Sequence, residues 1–234
     1  MKIAMTVLVA GSALCAISGV ASASPFLQAS GDGFADNDAN FGSASWLARA
    51  RNLESSANTF ESFLGNGGAP SSDGVDDDIN WGPSTATGSF SLSYDGSQAT
   101  WTINAATGSG VSTLTYDVND DFNLISLTLK ADSSDDDASV TLNNLTLNGT
   151  NFGTFSADHD GTNSREVNYA MFAGFGNAFT ITGDFAISWV GSLRQEDIAF
   201  DFKMSNGTVI PLPAASAMAG LGFVLVGTHR RRLR

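Results

Sequence analysis

From Gly88 onward the hydrophobic positions of this chain recur at every second residue. Phe90, Leu92 and Tyr94 alternate with serines, and Trp101 and Ile103 alternate with threonines and an asparagine. Leu114 and Tyr116 repeat the pattern, and apolar runs at 124–129, 140–142, 145–147, 152–155, 167–172, 179–190 and 198–204 extend it. A period of two with polar partners predicts strands buried on one face. Turn signals separate the runs: Asp95-Gly96, Asn119-Asp120, the acidic stretch 132–137, Asn148-Gly149, Asp160-Gly161 and Gly176-Asn177. About nine short strands with such punctuation predict a mainly β fold, an antiparallel β-sandwich or jelly roll. Serine and threonine at the alternate positions give each sheet one wet face.

The pattern before Gly88 is different. Residues 26–40 read as a loop rich in glycine, aspartate and asparagine. Trp46, Leu47, Ala50, Leu53, Ala57, Phe60 and Leu64 then recur at spacings that fit one amphipathic helix over residues 45–64. Ser43 or Ser45 would cap its start, and Gly65-Asn66-Gly67 would stop it. Residues 66–83 read as a turn-rich linker that carries Asp76-Asp77-Asp78 and Trp81.

Charge narrows the choice of partners. The formal net charge is −13, but it is unevenly placed. Between Ser24 and Ile210 lie all 24 acidic side chains and only six basic ones, a net of −18. Those six are Arg49, Arg51, Lys130, Arg165, Arg194 and Lys203. Such a body repels nucleic acid and anionic lipid. Cations, basic surfaces and neutral polymers such as polysaccharide remain as partners. The single cysteine, Cys15, lies in the N-terminal apolar segment, so the body has neither a disulfide nor a thiol nucleophile.

Both ends read as targeting segments. Lys2 precedes an apolar run over 3–20, and Ala21-Ser22-Ala23 puts small residues where signal peptidase reads them. Residues 1–23 are therefore expected to be a secretory signal peptide, cut after Ala23. Ser12-Ala13-Leu14-Cys15 faintly resembles a lipoprotein signal, but Leu14 is bulky for that cleavage. At the other end, Ile210-Pro211-Leu212-Pro213-Ala214 leads into an uncharged, mostly apolar stretch over 215–228. A basic end follows, with Arg230, Arg231, Arg232 and Arg234. Counted from Val209 the segment has about 20 residues and only just spans a bilayer as a helix, and the arginines would hold its end in the cytoplasm. The expected organisation is a signal peptide at 1–23, a secreted acidic β domain at 24–208 and a sorting tail at 209–234.

The order of proline motif, short apolar helix and arginine cluster resembles the PEP-CTERM sorting signal in its VPLPA variant, with Ile210 in place of the usual valine. The resemblance implies export, transient anchoring in the inner membrane and recognition by an exosortase-type transpeptidase. It implies a cut near Pro213-Ala214 and delivery to the cell surface or to extracellular polysaccharide. A permanent single-span anchor is the alternative. Residues 140–149 and 152–155, with Trp189-Val190-Gly191, also resemble bacterial surface domains of the choice-of-anchor type. That likeness brings no active site with it.

Candidate chemistry is sparse. Asp32, Asp36 and Asp38 share one glycine-rich loop, and Asp158, Asp160 and Asn163 share another. Closely spaced carboxylates and amides on turns suit Ca²⁺, which takes six to eight oxygens, although no EF-hand spacing occurs. Solvated turn residues would have the same composition. Glu166, Glu196 and Asp197 are the carboxylates that a glycosidase mechanism would draw on. His159 is the only histidine of the body, no Gly-x-Ser-x-Gly elbow accompanies it, and it is expected to be exposed. No Walker or Rossmann glycine signature occurs. Trp101 and Trp189 belong to alternating strands and are expected in the core, whereas Trp81 is the candidate exposed platform for a sugar ring. Asn144, Asn148 and Asn206, each in an Asn-x-Thr triplet, read as polar turn and strand residues. The expectation is a non-enzymatic surface or matrix protein. A carbohydrate-binding module stabilised by Ca²⁺ is the second reading, and a secreted glycan hydrolase the third.

Overall fold

A computed structural model describes residues 24–34, 39–52, 59–67, 73–107, 110–118, 120–132, 137–159, 166–191, 193 and 196–210. Among them, thirteen strands form two antiparallel sheets. The chain is mainly β, as the alternation predicts. The seven-stranded sheet has the order β1 (Phe26–Asp32), β11 (Glu166–Ala173), β8 (Leu124–Ala131), β13 (Ile198–Ser205), β2 (Ala44–Asn52), β3 (Thr59–Asn66), β4 (Gly74–Asn80). The six-stranded sheet has the order β10 (Thr150–His159), β9 (Ala138–Leu147), β12 (Phe179–Trp189), β5 (Thr85–Tyr94), β6 (Gln98–Ala105), β7 (Val111–Asp117).

The inner faces share one core. Phe90, Leu92, Trp101 and Ile103 come from one sheet, and Trp46, Leu127, Phe200 and Phe202 from the other. In the six-stranded sheet their alternate neighbours are the polar residues Ser89, Ser91, Ser93, Thr100, Thr102 and Asn104, which face outward. The Asn148-Gly149 signal is borne out as a two-residue turn joining β9 to β10, with both residues at positive φ. That geometry matches the right-handed twist of a hairpin and favours asparagine and glycine.

The described residues of 45–64 form strands and not the expected helix, and residues 53–58 lie outside the described residues. Residues 44–52 are β2 and residues 59–66 are β3, paired from Trp46↔Asn66 to Asn52↔Phe60. Trp46, Ala48 and Ala50 alternate into the core beside Phe60 and Leu64. Leu47 and Phe63 are buried on the opposite face. A strand pair with apolar residues on both faces mixes two period-two series, and their sum imitates helical spacing.

Two stretches read as loop and linker also contain strands. β1 adds to β11 from Phe26↔Ala173 to Asp32↔Asn168. β4 adds to β3 from Gly74↔Gly65 to Asn80↔Thr59, and it carries Asp76, Asp77 and Asp78 exposed along its length. Three consecutive aspartates oppose strand propensity. Pairing with β3 holds them extended, and their charge on an edge strand discourages another chain from adding there. The expected break at Asn143-Asn144 is a bulge inside one strand, β9. Asn144 has φ +54°, and the register against β12 shifts between Thr182 and Asp184.

A second, smaller apolar cluster covers one end of the outer face of the seven-stranded sheet. Phe41 packs there with Leu124, Met171 and Ala173, flanked by Val209. The last described residues are fastened to it. Thr208 N donates to Asn40 O (2.7 Å), and Asn123 bonds both the N and the O of Gly207. The Gln28 side chain donates to Thr208 O (3.0 Å) and accepts from Ile210 N (2.9 Å).

Candidate functional site

Trp81 is fully buried and cannot be a platform for a ligand. Asn80 Oδ1 accepts from Gly82 N (3.0 Å), a local turn at the end of β4 that sends the Trp81 ring inward. The ring stacks on Phe60 at 4.0 Å between centroids and on Phe185 at 5.1 Å. Its apolar area outweighs the loop composition around it. His159 is also buried, at the end of β10 opposite Ala138, and not exposed as expected.

The acidic clusters are only partly described. Asp32 ends β1 opposite Asn168, whose Nδ2 donates to Ser156 O (2.9 Å), and Asp158 follows two residues later on β10. Asp36, Asp38, Asp160 and Asn163 lie outside the described residues. No group of three or more metal-ligating side chains occurs among the described residues. The proposed hydrolytic carboxylates have other partners. Glu166 accepts from Asn168 Nδ2 (2.6 Å), Glu196 pairs with Arg49 and Arg51, and Asp197 is buried. The signal-cleavage residues Ala21 and Ala23, and the tail residues from Pro211 to Arg234, lie outside the described residues.

Two surfaces stand out instead. The first is the outer face of the six-stranded sheet. One row across five strands is made entirely of hydroxyl side chains, Thr146, Thr182, Ser91, Thr102 and Thr113 in register. Thr146 and Thr182 are 2.8 Å apart at their hydroxyls, and Thr102 and Thr113 are 3.2 Å apart. The next row brings Asp184, Ser89 and Asn104 together. A depression of about 580 Å³ lies over both rows, with Asn144 at one side and Val111 at the other. Hydroxyls recur across the sheet about every 4.8 Å, the spacing of adjacent strands.

The second surface is on the outer face of the seven-stranded sheet. Four of the body's six bases, Arg49, Arg51, Lys130 and Lys203, line one hollow of about 160 Å³. Strand register assembles it. One row runs Thr128, Asp201, Arg49, and the next runs Lys130, Ala199, Arg51, Glu61. Small Ala199 between two long cations leaves the space. Arg49 Nε donates to Asp201 (3.2 Å), and Arg51 Nε donates to Glu61 (2.5 Å). Glu196, at φ +64°, reaches both arginines. Burial pushes the Asp201 carboxyl above its ordinary range, against the pull of Arg49, Lys203 and Arg51. Thr128 is 3% exposed, and its Oγ1 is buried without a hydrogen-bond partner.

Sequence reasoning did not single out these residues. The available signal was Arg49-x-Arg51, two cations on one face of a strand, and reading that segment as a helix hid it. No family model matches the chain, and comparison with curated proteins finds no match. Among the described residues no helix is long and apolar enough to cross a membrane.

Proposed function

We propose that the chain is an exported, non-enzymatic adhesive protein of the cell surface or extracellular matrix, and that it holds neutral polysaccharide on the outer face of its six-stranded sheet. The hydroxyl and amide rows over the 580 Å³ depression carry this reading. Sugars are recognised by polar groups that replace their hydration, and rigid strands present such groups without an ordering cost. The body's charge of −18 fits a neutral polymer better than an anionic one. We read the fold as jelly-roll-like, with this face free on the six-stranded side.

The sorting tail supplies the location. An exosortase-type enzyme would act at Pro211-Leu212-Pro213-Ala214, with Arg230, Arg231, Arg232 and Arg234 holding the helix end in the cytoplasm until the cut. The fastening of Ile210 by Gln28 supports this reading, because Ile210 is the first residue of the motif and a cut near Ala214 leaves that contact in place. Intact mass of the protein recovered from its native cell surface tests the location. Loss of residues 1–23 and of the tail beyond about Ala214 is expected, and a full-length mass overturns sorting by cleavage. Retention on the cell's own neutral polysaccharide tests the adhesive role. The substitutions Thr182→Val and Ser91→Ala should abolish retention, and undiminished retention rejects the face as the binding surface.

A further inference from the structure

The depression on the six-stranded sheet has a shape as well as a chemistry. It crosses five strands, from β9 to β7, but takes in only two rungs along them, the hydroxyl row and the row of Asp184. Four inter-strand steps of about 4.8 Å make it roughly 19 Å long, and two rungs about 7 Å apart set its width. It is a trough one sugar ring wide whose long axis runs across the strands. Along that axis the chemistry repeats, with Thr146, Thr182, Ser91 and Thr102 each one strand from the next. Thr146 and Thr182 bond each other at 2.8 Å. Such a pair still has one donor and three acceptor positions for a ligand, and the bond fixes where they point. The two ends differ. At β9 the bulge turns Asn144 outward, and its Nδ2 donates to Asp184 (2.9 Å), which commits one oxygen of that carboxylate. At β7 the side chain of Val111, 63% exposed, forms an apolar rim. No basic side chain lines the trough among the described residues.

We propose, resting on the adhesive reading of this face, that the trough holds one unbranched run of about four neutral sugar rings, laid across the strands and joined by linkages that keep the glycan straight, as β-1,4 bonds between hexoses do. A straight glycan advances at each ring by close to one strand spacing, so successive rings meet the same hydroxyl chemistry. A coiled glycan, such as α-1,4-linked glucose, leaves a straight row after a ring or two. The free oxygen of Asp184 accepts a sugar hydroxyl at the β9 end and turns away an acidic sugar. Val111 lies against the C–H face of the last ring at the β7 end.

Calorimetric titration of the full chain tests this, with β-1,4-linked glucose oligomers from the dimer to the hexamer and the α-1,4-linked series of the same lengths as probes. Affinity for the β-linked series should rise about fivefold with each unit, close to one net hydrogen bond, and level off near the tetramer. Affinity for the α-linked series should not grow with length. Val111→Ser should bring the levelling-off about one unit earlier and leave the dimer unaffected, since the dimer can occupy the rest of the trough. Ser91→Ala, at mid-trough, should weaken the tetramer about fivefold. Equal binding of the two series, affinity for the β-linked series that does not change with length, or binding of neither series overturns the proposal. Retention on the native polysaccharide then decides the wider reading separately. If Thr182→Val abolishes it, the face still holds sugar in another arrangement; if it is undiminished, the adhesive reading of the face fails too.

Discussion

The ring of Phe185 lies over the bare α-carbon of Gly88, its partner across β12 and β5. A Cβ on Gly88 would stand 2.5 Å from Phe185 Cζ and 2.2 Å from Asn104 O. The same pair of strands repeats the arrangement two rungs along, where Phe90 covers Gly183. Each glycine makes room for an aromatic ring opposite it, and the two rings reach Phe200 of the other sheet at 5.8 and 5.6 Å. Large and small residues thus alternate where the sheets meet, as close packing requires.

Gly88→Ala should therefore destabilise the fold. The obstructing atom Asn104 O belongs to the backbone of β6 and cannot turn away. Overpacking of this kind costs about 1–3 kcal/mol. Gly183→Ala should cost less, because the nearest obstruction is the tip of the Phe90 ring at 2.8 Å. Urea denaturation of both variants checks the order, and equal midpoints would refute the account.

Trp81 offers a sharper contrast between packing and binding. Its ring is enclosed by Phe60, Phe185 and Phe200. Trp81→Ala should cost about 3–5 kcal/mol. Trp81→Phe should cost less, because it keeps an aromatic ring and removes an indole N–H that has no partner. Neither change should alter the polysaccharide affinity of the protein that remains folded. Chemical denaturation and a binding assay on the Trp81→Phe variant check both statements.

The sheets were legible in the sequence where one face is wet. In β5, β6 and β12 every second residue but Ala186 is serine, threonine or another polar residue, and the period is unmistakable. It failed where both faces are occupied. β2 buries Trp46 toward the core and Leu47 toward the other side, so alternation disappears. It failed also where pairing overrides propensity, as in β4 with its three aspartates. The hydroxyl rows could have been read as strand faces, but their alignment across five strands depends on register. The cationic hollow was the least legible. Its four bases come from three strands, β2, β8 and β13, that lie far apart in the chain, and only the sheet order brings them together.

Acid should loosen the β5–β6 turn through Asp95. Its carboxylate accepts from the backbone N–H groups of Gln98 and Ser97 and from the Ser97 hydroxyl. These bonds hold its pKa below the ordinary value of 3.8. A lowered folded pKa gives stability that is present above pH 3.8 and is lost as pH falls through the folded value. Asp95→Ala should therefore lower the melting temperature at neutral pH, and the gap to the parent should close in stronger acid. A gap independent of pH would show that the charge of Asp95 plays no part.

A cross-sheet hydrogen bond ties the two sheets together at the β4–β7 side of the sandwich. Tyr116, on edge strand β7, donates its hydroxyl to Asp73 Oδ1 (2.8 Å), just ahead of edge strand β4. Asp73 is fixed in turn by Asn66, whose Nδ2 reaches its carboxylate and whose backbone N reaches its carbonyl (2.8 Å). Burial and the nearby Asp73 carboxylate both raise the Tyr116 pKa, so the phenol stays protonated and able to donate throughout the neutral range. Tyr116→Phe removes only that donor. It should cost about 0.5–1.5 kcal/mol, near the upper end because the acceptor is charged. The loss should be local as well as global, since β4 has a hydrogen-bonded neighbour in the sheet on one side only. Amide exchange should therefore accelerate most in residues 74–80 and least in β13 at the centre of the same sheet. Uniform acceleration across both strands would mean that β4 opens only when the whole domain unfolds, and that the Tyr116–Asp73 bond does not gate the edge.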